Sequence, residues 1–268
     1  CFGCPVREAF ATKQVCRNFK SENTLSGERI GIEQTAIPVL EQDGEVKYVV
    51  EIVLDETKKM KLEKENKELF IQTVSALAGL IDKRDIATGK HSMAVRDIAV
   101  SIGQELALAP TVLEEISVAA LLHDIGKIGI PESILNKPGK LSPEEYDVIR
   151  SHSELGYNTI KIVKPLERIA EYVRCHHERF DGQGYPAGKK GDEIPLVAKI
   201  LCVADVYEAI TSHRVYRPAM DTQQALSLMY EGRGSMFDPL VLNAFMDMLV
   251  KRDPTLAAVV AKVKKTME

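Results

Sequence analysis

The feature that most limits the possible folds of this chain is a series of segments with a helical sequence pattern after Lys83. The 3.6-residue apolar period of an amphipathic helix recurs in MAVRDIAVSIGQELAL and TVLEEISVAALLHDIG. A further helix is predicted in LSPEEYDVIRSHSELGYNTI, with Ser142 as its cap and Pro143 at its first position. No strand-like alternation separates these segments. The sequence therefore predicts a mainly α chain with an all-α domain over residues 83–268, interrupted by a long loop from about Arg179 to Pro195.

The first 55 residues have strand character instead. β-branched residues are frequent in ERIGIEQTAIPVL and VKYVVEIVL, and the Asp43-Gly44 pair between these segments is a hairpin signal. So few strands rarely fold alone. With its CPVREAFATK entry and its LDET exit, this stretch is similar to the C-terminal half of a PAS sensor domain. Residues 1–55 are therefore predicted to be the end of a longer sensor domain.

Residues 56–82 are predicted to form a linker helix between these two parts. The segment KKMKLEKENKELFIQTVSALAGLI is rich in helix-forming residues, with its charges concentrated early. Its apolar positions are Leu62, Leu69, Val74, Leu77 and Ile81. The heptad pattern is short and imperfect, so the helix is either a solvated linker or a dimeric signalling helix. Its place between a sensor segment and a second domain favours a homodimer formed through this helix.

Composition excludes several classes of protein. No apolar run is long enough to cross a bilayer, so no membrane segment is expected. The net charge of -4 offers no general attraction for DNA, and an anionic substrate would need a local cluster of cations or a metal. The chain begins with Cys1 and shows no secretory signal pattern, which predicts a fragment of a longer cytoplasmic protein.

The five cysteines do not form a disulfide framework in a domain of this size. Cys175 and Cys202 lie in apolar helical segments and are interpreted as buried free thiols. Cys1 and Cys4 have a C-x-x-C spacing and Cys16 follows as a third cysteine, but no fourth ligand lies nearby. Structural thiols are therefore favoured over a metal site.

Histidine is the residue type that indicates chemistry here. His123 and Asp124 interrupt an apolar helix in LLHDIGK, and Asp205 interrupts another in LCVADVYEAI. A buried ionisable group must be paired or bind a metal. One such histidine would more often be a hydrogen-bonded core residue, but five on helices or at their ends are hard to explain separately. Since adjacent helical residues point about 100° apart, the side chains of His176 and His177 are better placed to bind two different partners than to close a single mononuclear site together.

Five segments, met in order from about Lys83 to Pro218, resemble the motifs of the HD-GYP family of phosphodiesterases. They are TGKHS, HDIGK, HSELGYNTI, HHERFDGQGYP and VADVYEAITSHRVYRP. The resemblance implies two metal sites. The ligands of the first would be His91, His123, Asp124 and Asp205, and those of the second would be His152, His176 and His177, with Asp124 bridging. Imidazole and carboxylate ligands without thiolate suit a divalent first-row ion, and the family implies iron or manganese.

A third metal in some family members is held partly by a glutamate four residues before the first histidine. In this chain Ala87 occupies that position, and no glutamate lies nearby in either direction. A binuclear site is therefore predicted.

The resemblance implies hydrolysis of cyclic di-GMP to linear pGpG, with a second cut yielding GMP. Two metals about 3.5–4 Å apart can hold a bridging hydroxide and stabilise both the attacking and the leaving oxygen. Asp124 is the shared ligand, and Lys127 can turn its ammonium towards a phosphate oxygen. Arg214 and Arg217 match family positions that contact the nucleotide. Tyr185, in the GQGYP loop, is predicted to stack on a guanine at the mouth of the site.

Three functions remain open at this point. The favoured one is a metal-dependent cyclic-dinucleotide phosphodiesterase regulated by an upstream sensor, because a silent protein has no need of a complete ligand set. The second is a catalytically silent module that binds a cyclic dinucleotide and signals to a partner through the GYP loop. The third is an HD hydrolase of another nucleotide, such as a mixed cyclic dinucleotide. The family commonly has aspartate and proline where this chain has residues 213–215, which bears on base preference rather than on metal binding.

Overall fold

The computed structural model describes residues 3–23, 27, 29–84, 91–213 and 218–266. It divides into two compact units, residues 1–71 and residues 72–268. A single long helix contributes to both of them. The domain boundaries expected at residues 55 and 82 remain predictions.

The N-terminal unit contains a short helix and a three-stranded sheet. Their bounds are α1 (Pro5–Thr12), β1 (Cys16–Asn23), β2 (Arg29–Leu40) and β3 (Val46–Asp55). The strands pair antiparallel in the order β1-β2-β3. Gly44 has a φ of +82°, which suits glycine, and it closes the predicted turn between β2 and β3. Ala9 of α1 and Ala36 of β2 are both fully buried. The strand character of this region is confirmed, while its assignment to a PAS domain stays a prediction.

Helix α2 runs from Thr57 to Arg84, over 28 residues. The Asp55 carboxylate accepts a hydrogen bond of 2.9 Å from the Thr57 amide, which turns the chain from β3 into the helix. Towards its C-terminal end, Val74, Ala78 and Ile81 are buried. This spacing is the 3.6-residue period of a helix with one apolar face in a core.

The second unit contains helices and no strand in the part that the structure describes, apart from an isolated bridge between Arg233 and Phe237. Its helices are α3 (His91–Glu105), α4 (Pro110–Leu122), α5 (Glu132–Leu135), α6 (Pro143–Arg150), α7 (His152–Ile160), α8 (Glu167–Cys175), α9 (Leu196–Thr211), α10 (Thr222–Glu231), α11 (Pro239–Arg252) and α12 (Ala257–Thr266). Short 3-10 helices occupy Ile125–Gly129, Lys164–Leu166, Gly191–Glu193 and Pro254–Leu256. The expected mainly α fold is confirmed.

Local signals set the ends of these helices. The Ser142 hydroxyl accepts a hydrogen bond from the amide of Glu145, and the Glu145 carboxylate accepts one from the amide of Ser142. This reciprocal capping box starts α6 where the sequence predicts. The Asp238 carboxylate caps α11 by accepting hydrogen bonds from the amides of Leu240 and Val241.

The core of the second unit lies where α3, α4, α9 and α11 pack together. Its fully buried side chains include those of Ile102, Ile116, Ile200, Leu242 and Phe245. Each such side chain contributes roughly 1.5–3 kcal/mol by leaving water. Asp124 follows the end of α4 by two residues and Asp205 lies on α9, so both charged groups are attached to helices of this core.

The two helical cysteines are buried free thiols, as expected. Burial raises the pKa of Cys175 and of Cys202 to about 12, so neither is a reactive thiolate at neutral pH. Cys4 and Cys16 are half-buried free thiols, and Cys1 lies outside the described residues. Among the helices described, none has both the length and the apolar character needed to cross a membrane.

Candidate metal centre

Seven ionisable residues meet in the helical unit and are called the His/Asp cluster below. They are His91, His123, Asp124, His152, His176, His177 and Asp205. The five histidines stand at helix ends, where a side chain can leave its own helix and reach a neighbouring one. The cluster brings together every residue for which the sequence predicted a metal-ligand role.

The cluster contains two groups of three. In the first group, ligand atoms of His91, His123 and Asp205 all lie within 4.8 Å of one another. In the second group, the same holds for His152, His176 and His177. Three nitrogen or oxygen donors at this spacing are a donor set that suits a divalent first-row metal.

Asp124 lies between the two groups, with one oxygen facing each. Its Oδ2 atom is 3.3 Å from Nε2 of His123 and 3.7 Å from Nε2 of His91. Its Oδ1 atom is 3.5 Å from Nε2 of His152. A carboxylate in this position can reach both groups at once, one through each of its oxygens.

Backbone carbonyls fix the orientation of three imidazole rings. The Nδ1 atoms of His123, His152 and His176 lie 2.7, 2.7 and 2.5 Å from the carbonyl oxygens three residues earlier. A carbonyl can only accept, so each Nδ1 carries the proton and each Nε2 presents a lone pair to the cluster. This is the arrangement found in metal-ligating histidines.

The Nε2 atoms are crowded in a way that a cation would explain. Nε2 of His152 lies 3.4 Å from Nε2 of His176, and both rings already use their protons elsewhere. Two lone pairs at this distance repel each other unless a positive charge sits beside them. The donor set therefore fits divalent metal ions.

Charge in the cluster favours ionised carboxylates. Burial alone would raise the pKa of Asp124, but the Lys127 ammonium 2.8 Å away and the His123 ring hold it well below its usual range. Burial also opposes ionisation of Asp205, yet the hydrogen bond from His91 lowers its pKa below the ordinary value. Both aspartates are thus in the form that binds metal.

The histidines of the two groups differ in charge. Burial lowers the pKa of His177 to about 3 and lowers those of His152 and His176, so the second group is neutral. Burial opposes protonation of His91 as well, but hydrogen bonds to Asp205 and Glu208 raise its pKa to about 10. A cation bound at the first group would replace the proton that these carboxylates attract.

A close backbone approach places Asp124 beside His152. Gly126 stands in the 3-10 turn after Asp124, and a Cβ atom added to it would lie 1.9 Å from the carbonyl oxygen of His152 and 2.6 Å from the amide nitrogen of Gly156. Only glycine lets this turn lie so near α7. The glycine of the HDIGK segment therefore has a direct part in bringing the two groups together.

Glu208 is a site residue that the sequence analysis missed. Its buried carboxylate accepts a hydrogen bond from Nδ1 of His91 and a second, of 2.6 Å, from the hydroxyl of Ser212. It therefore orients the His91 ring, as backbone carbonyls orient the rings of His123, His152 and His176. The available signal was a carboxylate three residues after Asp205 in an apolar helix, on the same side of it.

The residues predicted to contact substrate are only partly described. The Tyr185 ring lies 4.8 Å from the His177 ring, measured between ring centres, and is half-buried. A Cβ atom on Gly184 would lie 2.2 Å from the amide nitrogen of Arg179, so the GYP loop packs directly on the chain after the paired histidines. Arg214, Arg217 and Ala87 lie outside the described residues.

Known proteins of one family resemble this chain in sequence. The sequence profile of the HD domain family matches residues 75–241. A probable cyclic di-GMP phosphodiesterase of Vibrio cholerae is 42% identical over 65% of this chain and 43% of its own length. A 3'3'-cGAMP-specific phosphodiesterase 3 of the same organism is 36% identical over 62% of this chain and 36% of its own length. The chain spans about half the length, or less, of these curated relatives.

A solved structure of a cyclic GMP-AMP-specific phosphodiesterase of V. cholerae has a similar fold. Its TM-score is 0.50 at 19% identity, with 73% of this chain and 53% of that chain covered. At this identity the likeness concerns the fold alone.

Proposed function

Because this chain belongs to the HD domain family, we propose that it is a metal-dependent phosphodiesterase that hydrolyses cyclic di-GMP to linear pGpG, with GMP as the product of a second cut. The observation that carries this proposal is the position of Asp124, whose two oxygens face separate groups of histidines. A curated relative at 42% identity is named a probable cyclic di-GMP phosphodiesterase.

Two divalent ions, iron or manganese, would occupy the His/Asp cluster. His91, His123 and Asp205 would hold one, His152, His176 and His177 the other, and Asp124 both. When bound, such ions activate water as a nucleophile and neutralise charge on a phosphodiester. The donor set contains imidazole and carboxylate without thiolate, which suits these metals.

The protein's own groups would position the reactants. Lys127 lies against Asp124 at 2.8 Å, where its ammonium steadies the carboxylate and offers donors to an entering phosphate oxygen. The Nδ1 atoms of His123, His152 and His176 keep their protons and donate them to backbone carbonyls, so the Nε2 atoms are left for ligation. Tyr185 stands beside His177, where its hydroxyl can reach a polar edge of a base.

Anaerobic purification followed by metal quantitation and product analysis tests this function. We expect two metal ions per chain and conversion of cyclic di-GMP to pGpG. Chelation should remove both the metal and the turnover, and iron or manganese should restore them. Full turnover by the metal-free protein would refute the proposal, and metal binding without any turnover would favour the silent signalling module that acts on a partner through the GYP loop.

A mixed cyclic dinucleotide is the second candidate substrate. It is supported by the relative named a 3'3'-cGAMP-specific phosphodiesterase, which is 36% identical to this chain. Measuring kcat/KM for cyclic di-GMP and for 3'3'-cGAMP under the same conditions decides between the two.

We further propose that α2 joins two copies of the chain and transmits a signal from the N-terminal unit. Heptad core positions along the helix would be Lys59, Leu62, Asn66, Leu69, Thr73, Ala76 and Leu80. Leu62, Leu69 and Leu80 are exposed there, and the buried residues Val74, Ala78 and Ile81 lie at other heptad positions. An asparagine among the core positions of a coiled coil specifies a dimer.

Replacing both Leu62 and Leu69 with glutamate should convert the dimer to a monomer. Each leucine contributes about 1.5–3 kcal/mol when buried, so dimerisation should weaken by roughly 100-fold or more. Light scattering on the full chain measures this change. Leu240→Glu is the matched control, since Leu240 is also an exposed helical leucine but lies on α11. A monomer before any substitution would contradict the proposal.

A further inference from the structure

A stack of three side chains borders the His/Asp cluster and has no part in holding metal. The guanidinium of Arg150, the last residue of α6, lies 4.6 Å from the ring centre of Tyr146 and 5.2 Å from that of Tyr185. The Tyr185 ring is in turn 4.8 Å from that of His177. This Tyr–Arg–Tyr stack therefore begins next to the second group of histidines and leads away from it.

We propose that Arg150 reads the edge of a guanine base and makes the site selective for guanine over adenine. The inference rests on the proposed function, because it concerns the base of a cyclic dinucleotide whose phosphate lies at the His/Asp cluster. In such a ligand a ribose separates each base from the phosphates. A base would thus lie one sugar away from the bound phosphate, and the stack begins at a ring 4.8 Å from that of His177 at the border of the cluster.

The stack holds the guanidinium in a set orientation. Cation–π contact with two rings restrains a long side chain that would otherwise be free at the surface. The side chain is still 45% exposed, and its ion pair with Asp147 is 3.6 Å long, beyond hydrogen-bond distance. The N–H groups of the guanidinium are therefore accessible to a ligand.

The chemistry of an oriented guanidinium matches guanine. Guanine presents two acceptors, O6 and N7, to which arginine donates two parallel hydrogen bonds. Adenine presents the N7 acceptor beside an amino donor, so one N–H group of arginine would face another N–H group. Glutamine, which has both a donor and an acceptor, suits adenine instead. Cyclic di-GMP carries two guanines, 3'3'-cGAMP one and cyclic di-AMP none, so the three ligands form a graded series.

The test compares Arg150→Gln and Arg150→Lys with the unaltered protein. Lysine keeps the charge but loses the planar fork, so it separates base recognition from simple attraction to phosphate. Arg168→Gln is the matched control, because Arg168 is an exposed arginine at the opposite end of α8 from His176. The measurements are kcat/KM for the three dinucleotides, binding of pGpG by calorimetry, and metal content.

In both variants we expect kcat/KM for cyclic di-GMP to fall roughly 10- to 100-fold with metal content unchanged. The preference for cyclic di-GMP over cyclic di-AMP should fall by a similar factor, most in the glutamine variant. Binding of pGpG should weaken in parallel. In the Arg168→Gln control, kcat/KM, pGpG binding and metal content should all equal those of the unaltered protein.

Several results would overturn the inference. If Arg150→Gln lowered kcat/KM for all three dinucleotides by the same factor and Arg150→Lys restored it, the residue would be assigned to phosphate. An unchanged kcat/KM for each dinucleotide in both variants would make the stack a purely structural contact. Loss of metal in either variant would assign Arg150 to support of the metal centre. An unaltered protein that neither binds nor cleaves any of the three dinucleotides would remove the proposed function, and the base subsite with it.

Discussion

Asp124→Ala is expected to abolish hydrolysis and to release metal from both groups of the His/Asp cluster. The two oxygens of Asp124 face different groups, so its removal takes one ligand from each. Metal ions supply several kcal/mol of transition-state stabilisation, and kcat/KM should therefore fall on the order of 10³-fold or more. Metal analysis by mass spectrometry and turnover of cyclic di-GMP measure the two effects.

Tyr185→Ala is the control for this substitution. The Tyr185 ring lies beside His177 and is not among the predicted ligands, so both metals should remain while the KM for cyclic di-GMP rises. An Asp124→Ala protein that keeps full activity would refute the proposal that hydrolysis depends on metal held by this aspartate. One that keeps a single metal and part of its activity would show that the two groups act separately.

Gly126→Ala is expected to destabilise the helical unit strongly. The new methyl group would meet the backbone of His152 and Gly156 at 1.9 and 2.6 Å, and backbone cannot move aside as a flexible side chain can. Overpacking of this kind costs about 3 kcal/mol. The thermal midpoint should fall by roughly 6–12 °C, and the second group should lose metal because Asp124 is pushed away from His152.

Gly129→Ala is the matched control within the same 3-10 turn. Its Cβ atom would meet only the end of the Leu155 side chain, at 3.0 Å, and that side chain can rotate away. Calorimetry should show a small fall in the thermal midpoint for Gly129→Ala and a large fall for Gly126→Ala. Equal effects of the two substitutions would mean that the close approach of the turn to α7 is not what positions Asp124.

Local sequence signals were sufficient for most of the fold. Helix periodicity, the Ser142 capping box and the Asp43-Gly44 turn act between residues a few positions apart, so they can be recognised without knowledge of the rest of the chain. The assignment of residues 1–55 to a PAS domain depends instead on loose motifs. It remains a prediction, although the sheet itself is present.

The members of the His/Asp cluster were predicted from their residue types and motifs, but their geometry was not. His91 and Glu208 are 117 positions apart, and His91 and His123 are 32 apart. Which atoms face each other over such separations depends on how α3, α4 and α9 pack. The Tyr–Arg–Tyr stack was missed for the same reason, since Arg150 and Tyr185 stand on different segments and carry no motif in common.

The amino-acid sequence by itself thus determined the helical class of the chain, the family resemblance and the residue types that could bind metal. Tertiary structure alone decided that Asp124 faces both groups, that Glu208 orients His91 and that Arg150 stands beside the cluster. The physical reason is the separation along the chain between the residues that interact. Periodicity and capping depend on neighbours along the chain, whereas ligand geometry depends on packing between distant segments, where displacements of an ångström change which atoms can meet.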